Sequence, residues 1–366
     1  MIEIKVVFPY PAPYGHVPDI YEYVENLRGL GVEAHYLGWK PQESRFQFLK
    51  KLAIEIEKIN PNIVHVFHFR SCCLLPVLLT RRKMKWILDV RTVHVENKNL
   101  QPERLVGLKT RLTWIESLFY DRVLALTPVI KSYMQPNIHP ISIIPLGGSG
   151  KLKELMTDEN KKRIRDSLRI PMSSKVILYS GSHSPSRKID ELLKAFAGLS
   201  NLRETYLLMV GGIRSVDFNR EQLIFKKYIE LCQHLNIQDR VIFLGHKPYS
   251  EALVYYSAAD IGVAYLPQNT PYILQPPTKL IEFMMAGLLA VGNDIPSIRE
   301  FIRDGETGIL CGNGVEGLRD GLERALSMLR DKEILFSIRE RAYAEVECRT
   351  WDKIVKNYIL PVYSEW

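Results

Sequence analysis

Residues 276–311 read PPTKLIEFMMAGLLAVGNDIPSIREFIRDGETGILC. Two prolines open a mostly apolar stretch over 278–287 that closes at Gly287, the punctuation of a short buried helix. The apolar run 289–291 after it reads as a strand. The same strand–helix unit recurs upstream: strands are predicted at 175–180, 206–210, 240–244 and 261–265, alternating with helices at 189–198, 225–235 and 250–257. In the first half, strands are predicted at 3–8, 33–37, 62–67, 86–90, 122–126 and 141–144, with helices at 20–30 and 46–59, the second closed by Asn60-Pro61. NIVHVF (62–67) is apolar and β-branched without strict alternation, as a parallel strand covered on both faces must be. This regularity predicts an α/β fold of doubly wound parallel sheets. The pattern starts afresh after the polar stretch 149–162, which reads as a connection. Two Rossmann-like domains are therefore expected, 1–150 and 151–349, facing one another across an inter-domain cleft at the strand C-terminal ends.

Composition agrees. The 366 residues are 46% hydrophobic and 25% charged, which excludes a disordered or low-complexity chain. No stretch reaches the roughly 18 consecutive apolar residues of a spanning helix; the longest greasy runs are 71–80 and 283–291. The opening MIEIKVVFPYP reads as a first strand and not as a signal peptide, so a cytoplasmic protein is expected. Cys72, Cys73, Cys232, Cys311 and Cys348 show no C-x-x-C spacing and read as reduced, packed thiols.

The net charge is +8, and residues 1–150 carry 19 Lys and Arg against 13 Asp and Glu, so most of the excess lies in the first half. TRRKMKW (80–86) sets Arg81, Arg82, Lys83 and Lys85 beside Trp86, next to apolar 74–79. The segment reads either as a solvated helix end and loop or as a docking patch for an anionic partner. The inner face of a membrane is the surface such a patch fits, at about 1 kcal/mol per charge. Zinc-finger, RNP and basic-zipper patterns are missing, so a nucleic-acid partner is not expected.

With these elements placed, three segments of the second half resemble the donor domain of the family-4 retaining glycosyltransferases, which have the GT-B fold. They are SGSHSPSRKIDELLKAF (180–196), FLGHKPYSEALVYYSAADIGVAYLP (243–267) and the 276–311 segment. The first half resembles the family through FPYPAPYGH (8–16), VRTVH (90–94), YDRVLALTP (120–128) and IIPLGG (143–148). The resemblance implies a metal-independent, retaining transferase that moves a hexosyl unit from a UDP- or GDP-sugar to a hydroxyl acceptor, the sugar nucleotide being a substrate and no cofactor being needed. A non-catalytic sugar-nucleotide-binding protein, or a sugar-nucleotide epimerase or hydrolase, is the alternative.

The resemblance also implies roles. Glu282 would accept the ribose hydroxyls, one turn inside a helix whose N-terminus at Thr278 suits a diphosphate; a surface Glu on an amphipathic helix is the other reading. Lys279 belongs to the P-x-K-L-x-E-F pattern at 277–283, seen in a subgroup of the family. A second family Glu, eight residues before Glu282, is Leu274 here, with Gln275, Asn269 or Thr270 as replacement donor contacts. In the loop 181–188 the family has an Arg after the Gly and a Lys five residues on; this chain has Gly181, then Ser182, then Arg187 with Lys188 following. Arg187 and Lys188 would clamp developing pyrophosphate charge, or else the loop is merely basic and solvated.

His94 falls where a family His sits beside donor sugar and phosphate, and His246, in LGHKP, where backbone meets the base. Gly15 permits close approach of backbone to a phosphate, with His16 in place of a second family glycine, although a Pro-rich connecting loop would look the same. His65 reads as a satisfied core histidine. Asp89 and Arg91 share a face at a strand end, as a structural ion pair or as acceptor contacts. The tail 350–366 would cross back onto the first domain, or form a plain terminal helix.

Overall fold

The computed structural model describes residues 4–38, 44–79, 84–92, 108–212, 218–267, 273 and 275–366. The chain divides into two compact units, Met1–Gly147 together with Trp351–Trp366, and Gly148–Thr350.

The first unit is built on β1 (Lys5–Tyr10), β2 (Glu33–Gly38), β3 (Ile63–Phe67), β4 (Lys85–Val90), β5 (Arg122–Ala125) and β6 (Ile141–Ile143). These pair in parallel in the order β2-β1-β3-β4-β5-β6. All five residues of β3 are buried, as its apolar run demands. The order reverses between β1 and β3, so the loop after β1 opens at the switch point, where such sheets take ligands. Helix Arg45–Ile59 begins with a capping box between Ser44 and Gln47 and ends at Asn60 in the left-handed conformation.

A charged network is sealed inside this unit. Arg91 grips Asp89 with Nε to Oδ1 at 2.7 Å and Nη2 to Oδ2 at 2.8 Å. It also donates to the Tyr23 hydroxyl and lies 3.7 Å from Asp19. Burial opposes ionisation of Asp89, but Arg91 and His65 outweigh it and keep the carboxyl below its ordinary value. His65 is fully buried, which pushes its pKa down, and its Nδ1 lies 2.7 Å from the Tyr363 hydroxyl. The tail closes the same core: Trp351 is fully buried, edge-on to Tyr23 at 5.6 Å. It runs as helix Trp351–Ile354, a π turn Val355–Ile359 and helix Leu360–Ser364. Pro361, which has no N–H, interrupts the regular hydrogen-bond ladder there.

The second unit holds β7 (Lys175–Ser180), β8 (Thr205–Val210), β9 (Val241–Gly245), β10 (Ile261–Ala264), β11 (Leu289–Asn293) and β12 (Ile309–Cys311). They form a second parallel sheet ordered β12-β11-β10-β7-β8-β9. Its switch point lies between β7 and β10. On one face Leu192, Leu193 and Phe196 pack with Ile177, Leu207, Leu318 and Leu322.

The structure departs from the sequence reading in five places. Residues 149–162, read as a connection, hold helix Leu152–Leu155 and the start of helix Asp158–Ser167, which Thr157 caps. Its charges are used inward. Arg165 is buried and donates to the carbonyls of Ala258, Met172 and Ser174 and to Asp260 Oδ2, while Lys161 reaches Oδ1. The reading assigned no element to β12 or to helices Gly314–Met328 and Lys332–Val346. Trp86, on one of the two readings of that segment part of a docking patch, is buried edge-on to Tyr120, because strand alternation turns Lys85 outward and Trp86 inward. Of the five free cysteines, Cys348 is exposed and not packed. The run 71–80 is no fully buried element, for helix Leu74–Leu78 buries Leu75 and Pro76 and exposes Leu74, Val77 and Leu78. Arg81, Arg82 and Lys83 lie outside the described residues. No helix among the described residues is long and apolar enough to cross a membrane.

The buried network predicts an asymmetry. Arg91→Met strands Asp89 and lowers stability by about 3–5 kcal/mol, whereas breaking the exposed pair Arg299–Asp294 by Arg299→Met changes it by under about 1 kcal/mol. Urea unfolding followed by circular dichroism measures both; equal effects would contradict the sealed network.

Candidate functional site

The site is built at the β7/β10 switch point of the second unit. The chain leaves β7 through Gly181, whose φ of +124° only glycine adopts freely. The neighbouring turn after β8 passes so close that a Cβ on Gly211 would stand 2.0 Å from the Gly181 carbonyl oxygen. Backbone bonds lock the two turns, from Gly181 N–H to Val210 O at 2.9 Å and from His183 N–H to Gly212 O at 2.9 Å. Tyrosine hydroxyls hold the loop from beneath: Tyr179 donates to the Ser182 carbonyl and Tyr228 to that of His183, each at 3.0 Å. The loop then makes a 3-10 turn, Pro185–Arg187, and enters helix Ile189–Ala197 through Lys188 at φ +51°.

From β10 the chain reaches helix Thr278–Met285 after Pro276-Pro277. Phe283 lies so close over Gly262 of β10 that a Cβ there would meet its ring at 2.3 Å. That contact presses the helix onto the sheet and fixes its rotation. Glu282, the preceding residue, is consequently only 3% exposed. Its Oε1 accepts from the Tyr249 hydroxyl at 2.5 Å and its Oε2 from the Tyr256 hydroxyl at 2.7 Å. A carboxylate accepts up to about four hydrogen bonds; the two tyrosines use two and set its plane. The helix N-terminus has no side-chain cap, so its first N–H groups point outward to the switch point.

Basic side chains converge between the two elements. Lys279 places Nζ 3.5 Å above the Tyr179 ring. Burial, and then the charge of Arg187, push its pKa well below the ordinary lysine value. His183 is pushed down to about 3, first by burial, then by Lys279 and His246. Burial and neighbouring positive charge thus oppose protonation of Lys279 and His183, and an anion arriving beside Lys279 would favour its charged form. Arg187 and Ser182 are half-buried, and His246 is exposed after β9. Lys188 turns aside, half-exposed, with its ammonium 3.8 Å from Glu191. Gln275 is half-buried just before the helix.

Of the residues singled out in the sequence, Arg187, Lys279 and His246 act electrostatically on this neighbourhood, Gly181 and Ser182 belong to the loop that holds it, Thr278 and Glu282 share the helix of Lys279 with Gln275 just before it, and Lys188 pairs with Glu191. Sequence reasoning missed Tyr179, Tyr249 and Tyr256, whose roles arise only when the strand end and two short helices meet. The segment 243–267 contains the last two, but nothing in their spacing signals a carboxylate partner.

In the first unit Gly15 is buried at φ +80° in the loop after β1, and His16 beside it donates its N–H to Pro13 O at 3.3 Å. Of the two readings for Asp89 and Arg91 the geometry shows the ion pair, since Asp89 is wholly buried beneath Arg91. His94, Asn269, Thr270 and Leu274 lie outside the described residues. His68, Cys72 and Glu116 bring ligand-type atoms within 4.8 Å of one another. However, Glu116 already accepts from His68, Arg70 and the Ser71 N–H, and burial pushes the Cys72 thiol up to about 12. That chemistry suits a proton-satisfied structural cluster and does not fit a metal.

Comparison with known proteins agrees with this geometry. The sequence profile of "Glycosyl transferases group 1" matches residues 160–343, half of the chain. The N-acetyl-alpha-D-glucosaminyl L-malate synthase of Bacillus anthracis is 28% identical over 191 residues, 52% of this chain and 45% of that protein. The D-inositol 3-phosphate glycosyltransferase of Corynebacterium diphtheriae is 29% identical over 194 residues, 52% of this chain and 43% of that one. The chain thus spans under half the length of these curated relatives.

Among solved structures, a glycosyltransferase of Rickettsia africae superposes with a TM-score of 0.74 at 18% identity, covering 100% of this chain and 99% of that one. The sucrose-phosphate synthase of Thermosynechococcus elongatus gives 0.75 at 18% identity, over 99% and 98%. Anabaena HepE in complex with UDP-glucose gives 0.73 at 14%, over 99% and 100%. The two six-stranded parallel sheets are those of the GT-B fold, and the chain belongs to the glycosyl transferases group 1 family.

Proposed function

We propose that this chain is a retaining glycosyltransferase that moves a hexosyl unit from a UDP- or GDP-sugar, bound by the second unit, to a hydroxyl acceptor held by the first. The observation that carries the reading is Lys279 in the uncapped first turn of helix Thr278–Met285, one turn before buried Glu282, with the charge of Arg187 near enough to depress its pKa. A diphosphate is the kind of anion such basic groups and helix N–H donors attract, and a ribose one turn further along reaches the carboxylate. The complex of HepE with UDP-glucose supports uridine as the base.

In the proposed reaction the acceptor oxygen attacks the anomeric carbon on the face from which the phosphate oxygen departs. The carbon–phosphate-oxygen bond breaks, and the hydroxyl proton passes to the departing phosphate. Arg187, Lys279 and the helix N–H groups stabilise the growing negative charge. Lys188, paired with Glu191, contributes less than Arg187. The clamp is made of side chains and backbone, so neither a cofactor nor a metal ion enters the proposed step.

Four outcomes follow. Arg187→Ala lowers turnover at least about tenfold, or about 1.4 kcal/mol of transition-state stabilisation; a wild-type rate would remove the clamp. The wild type prefers UDP over 2′-deoxy-UDP by about tenfold in calorimetry, and Glu282→Gln loses that preference; an unchanged preference would dispose of the ribose role. Because Lys279 is held below its ordinary pKa, binding of a diphosphate raises it again. Binding therefore takes up protons in the pH window between the depressed and the restored pKa of Lys279, below the ordinary lysine value, read from calorimetry in buffers of differing ionisation enthalpy, and Lys279→Met abolishes the uptake. Donor-sugar hydrolysis in the presence of EDTA proceeds at the untreated rate; loss of activity, restored by a divalent cation, would contradict a purely side-chain clamp.

A further inference from the structure

Both oxygens of Glu282 are held by phenols, Oε1 by Tyr249 and Oε2 by Tyr256. Tyr249, Tyr256 and Glu282 are only 6%, 1% and 3% exposed. Apolar side chains of the same shape would fill this space at least as stably as a buried carboxylate with two hydroxyls. The trio therefore calls for a use beyond packing.

The two phenols come from one helical stretch. Helix Tyr249–Val254 runs directly into the 3-10 turn Tyr255–Ala258, which sets the tyrosines about two turns apart, one for each carboxylate oxygen. Two further contacts fix Tyr256. Its ring packs on Phe283 at 5.4 Å, and Phe283 is itself seated on Gly262. Ser180, the last residue of β7, bonds the Tyr256 hydroxyl in the sense that favours negative charge on it, which makes Ser180 the donor. Burial, and then the charge of Glu282, push the Tyr256 phenol far above its ordinary pKa, so it keeps its proton and donates. The O–H bonds thus run in one sense, from Ser180 to Tyr256 to Glu282, and bonds so aligned polarise one another.

A phenol orients a carboxylate without cancelling its charge. A lysine or arginine in its place would do both, and would compete with any hydroxyl the carboxylate is to accept. We infer that Tyr249 and Tyr256 are positioning residues that set a preference for a ribonucleotide over a deoxyribonucleotide, by holding the Glu282 carboxylate in the plane that meets both ribose hydroxyls. The inference rests on the ribose role proposed above for Glu282. It adds that the acid alone is insufficient: a glutamate free to turn accepts one hydroxyl as readily as two, and the 2′ discrimination goes. Through Ser180 it also ties that discrimination to the end of β7, where the loop 181–188 begins.

The test is calorimetry of the full chain with UDP and with 2′-deoxy-UDP. Tyr249→Phe and Tyr256→Phe each remove one oxygen and keep the ring, and the Phe283 contact still seats the ring at 256. In the double Phe variant the ratio of the two affinities falls from about tenfold to under about twofold, and each single variant lies between. Tyr256→Phe lowers UDP affinity when Glu282 is present and leaves it unchanged in a Glu282→Ala background, because the phenol acts only through the carboxylate. Circular dichroism melting establishes that the variants are folded, and the single variants carry the test if the double one is not. Folded Phe variants that keep the wild-type ratio would overturn the inference. So would equal weakening of both nucleotides, the mark of a merely structural role, or a loss of UDP affinity that persists in the Glu282→Ala background. Each of these leaves the ribose role of Glu282 standing, whereas a wild type that binds both nucleotides equally removes that role and the inference with it.

Discussion

An ammonium group half-buried over an aromatic ring, facing a guanidinium, is a costly arrangement on its own. Lys279 occupies that position above Tyr179, with Arg187 across from it. Desolvation and like charge both work against its protonation, and the same forces act on His183. Hydrophobic packing has to supply the energy that holds them together. It comes from the sheet of the second unit, where Phe283 seats on Gly262 and the turns after β7 and β8 lie backbone against backbone. The arrangement makes chemical sense once a compact, doubly charged anion lies between these groups.

The geometry divides labour between two kinds of hydrogen bond. Tyrosine hydroxyls hold the protein to itself, binding the carbonyls of Ser182 and His183 and both oxygens of Glu282. Lys279 and the first N–H groups of helix Thr278–Met285 supply the electropositive side of the switch point, so the loop can be rigid and still attract a ligand. In the first unit the charges are used differently: Arg91, Asp89, Asp19 and His65 are sealed under Tyr23, Tyr363 and Trp351, and serve to bind the tail to the sheet.

Much of this was legible in the amino-acid order, for identifiable reasons. Parallel strands covered on both faces are continuous apolar runs, so eleven of the twelve strands among the described residues stand out in the sequence; β12, three residues long, is too short to do so. Glu282 was legible because an acid amid Leu280, Ile281, Phe283 and Met284 is anomalous on a helix that must be buried. Its tyrosine partners were not, since Tyr249 and Tyr256 approach it only through folding. Charge misled the reading where it points inward: Lys161 helped make 149–162 resemble a linker, yet it and Arg165, just beyond that stretch, are spent on Asp260. Trp86 misled it in the opposite sense, because an aromatic beside lysines looks exposed until strand alternation turns it into the core.

The most direct measurement is electron density for UDP in crystals of this chain. The account predicts the diphosphate between Arg187, Lys279 and the backbone at Thr278, with both ribose hydroxyls on Glu282. Density for the nucleotide at any other place, with Lys279 still over Tyr179 and no phosphate near it, would contradict it.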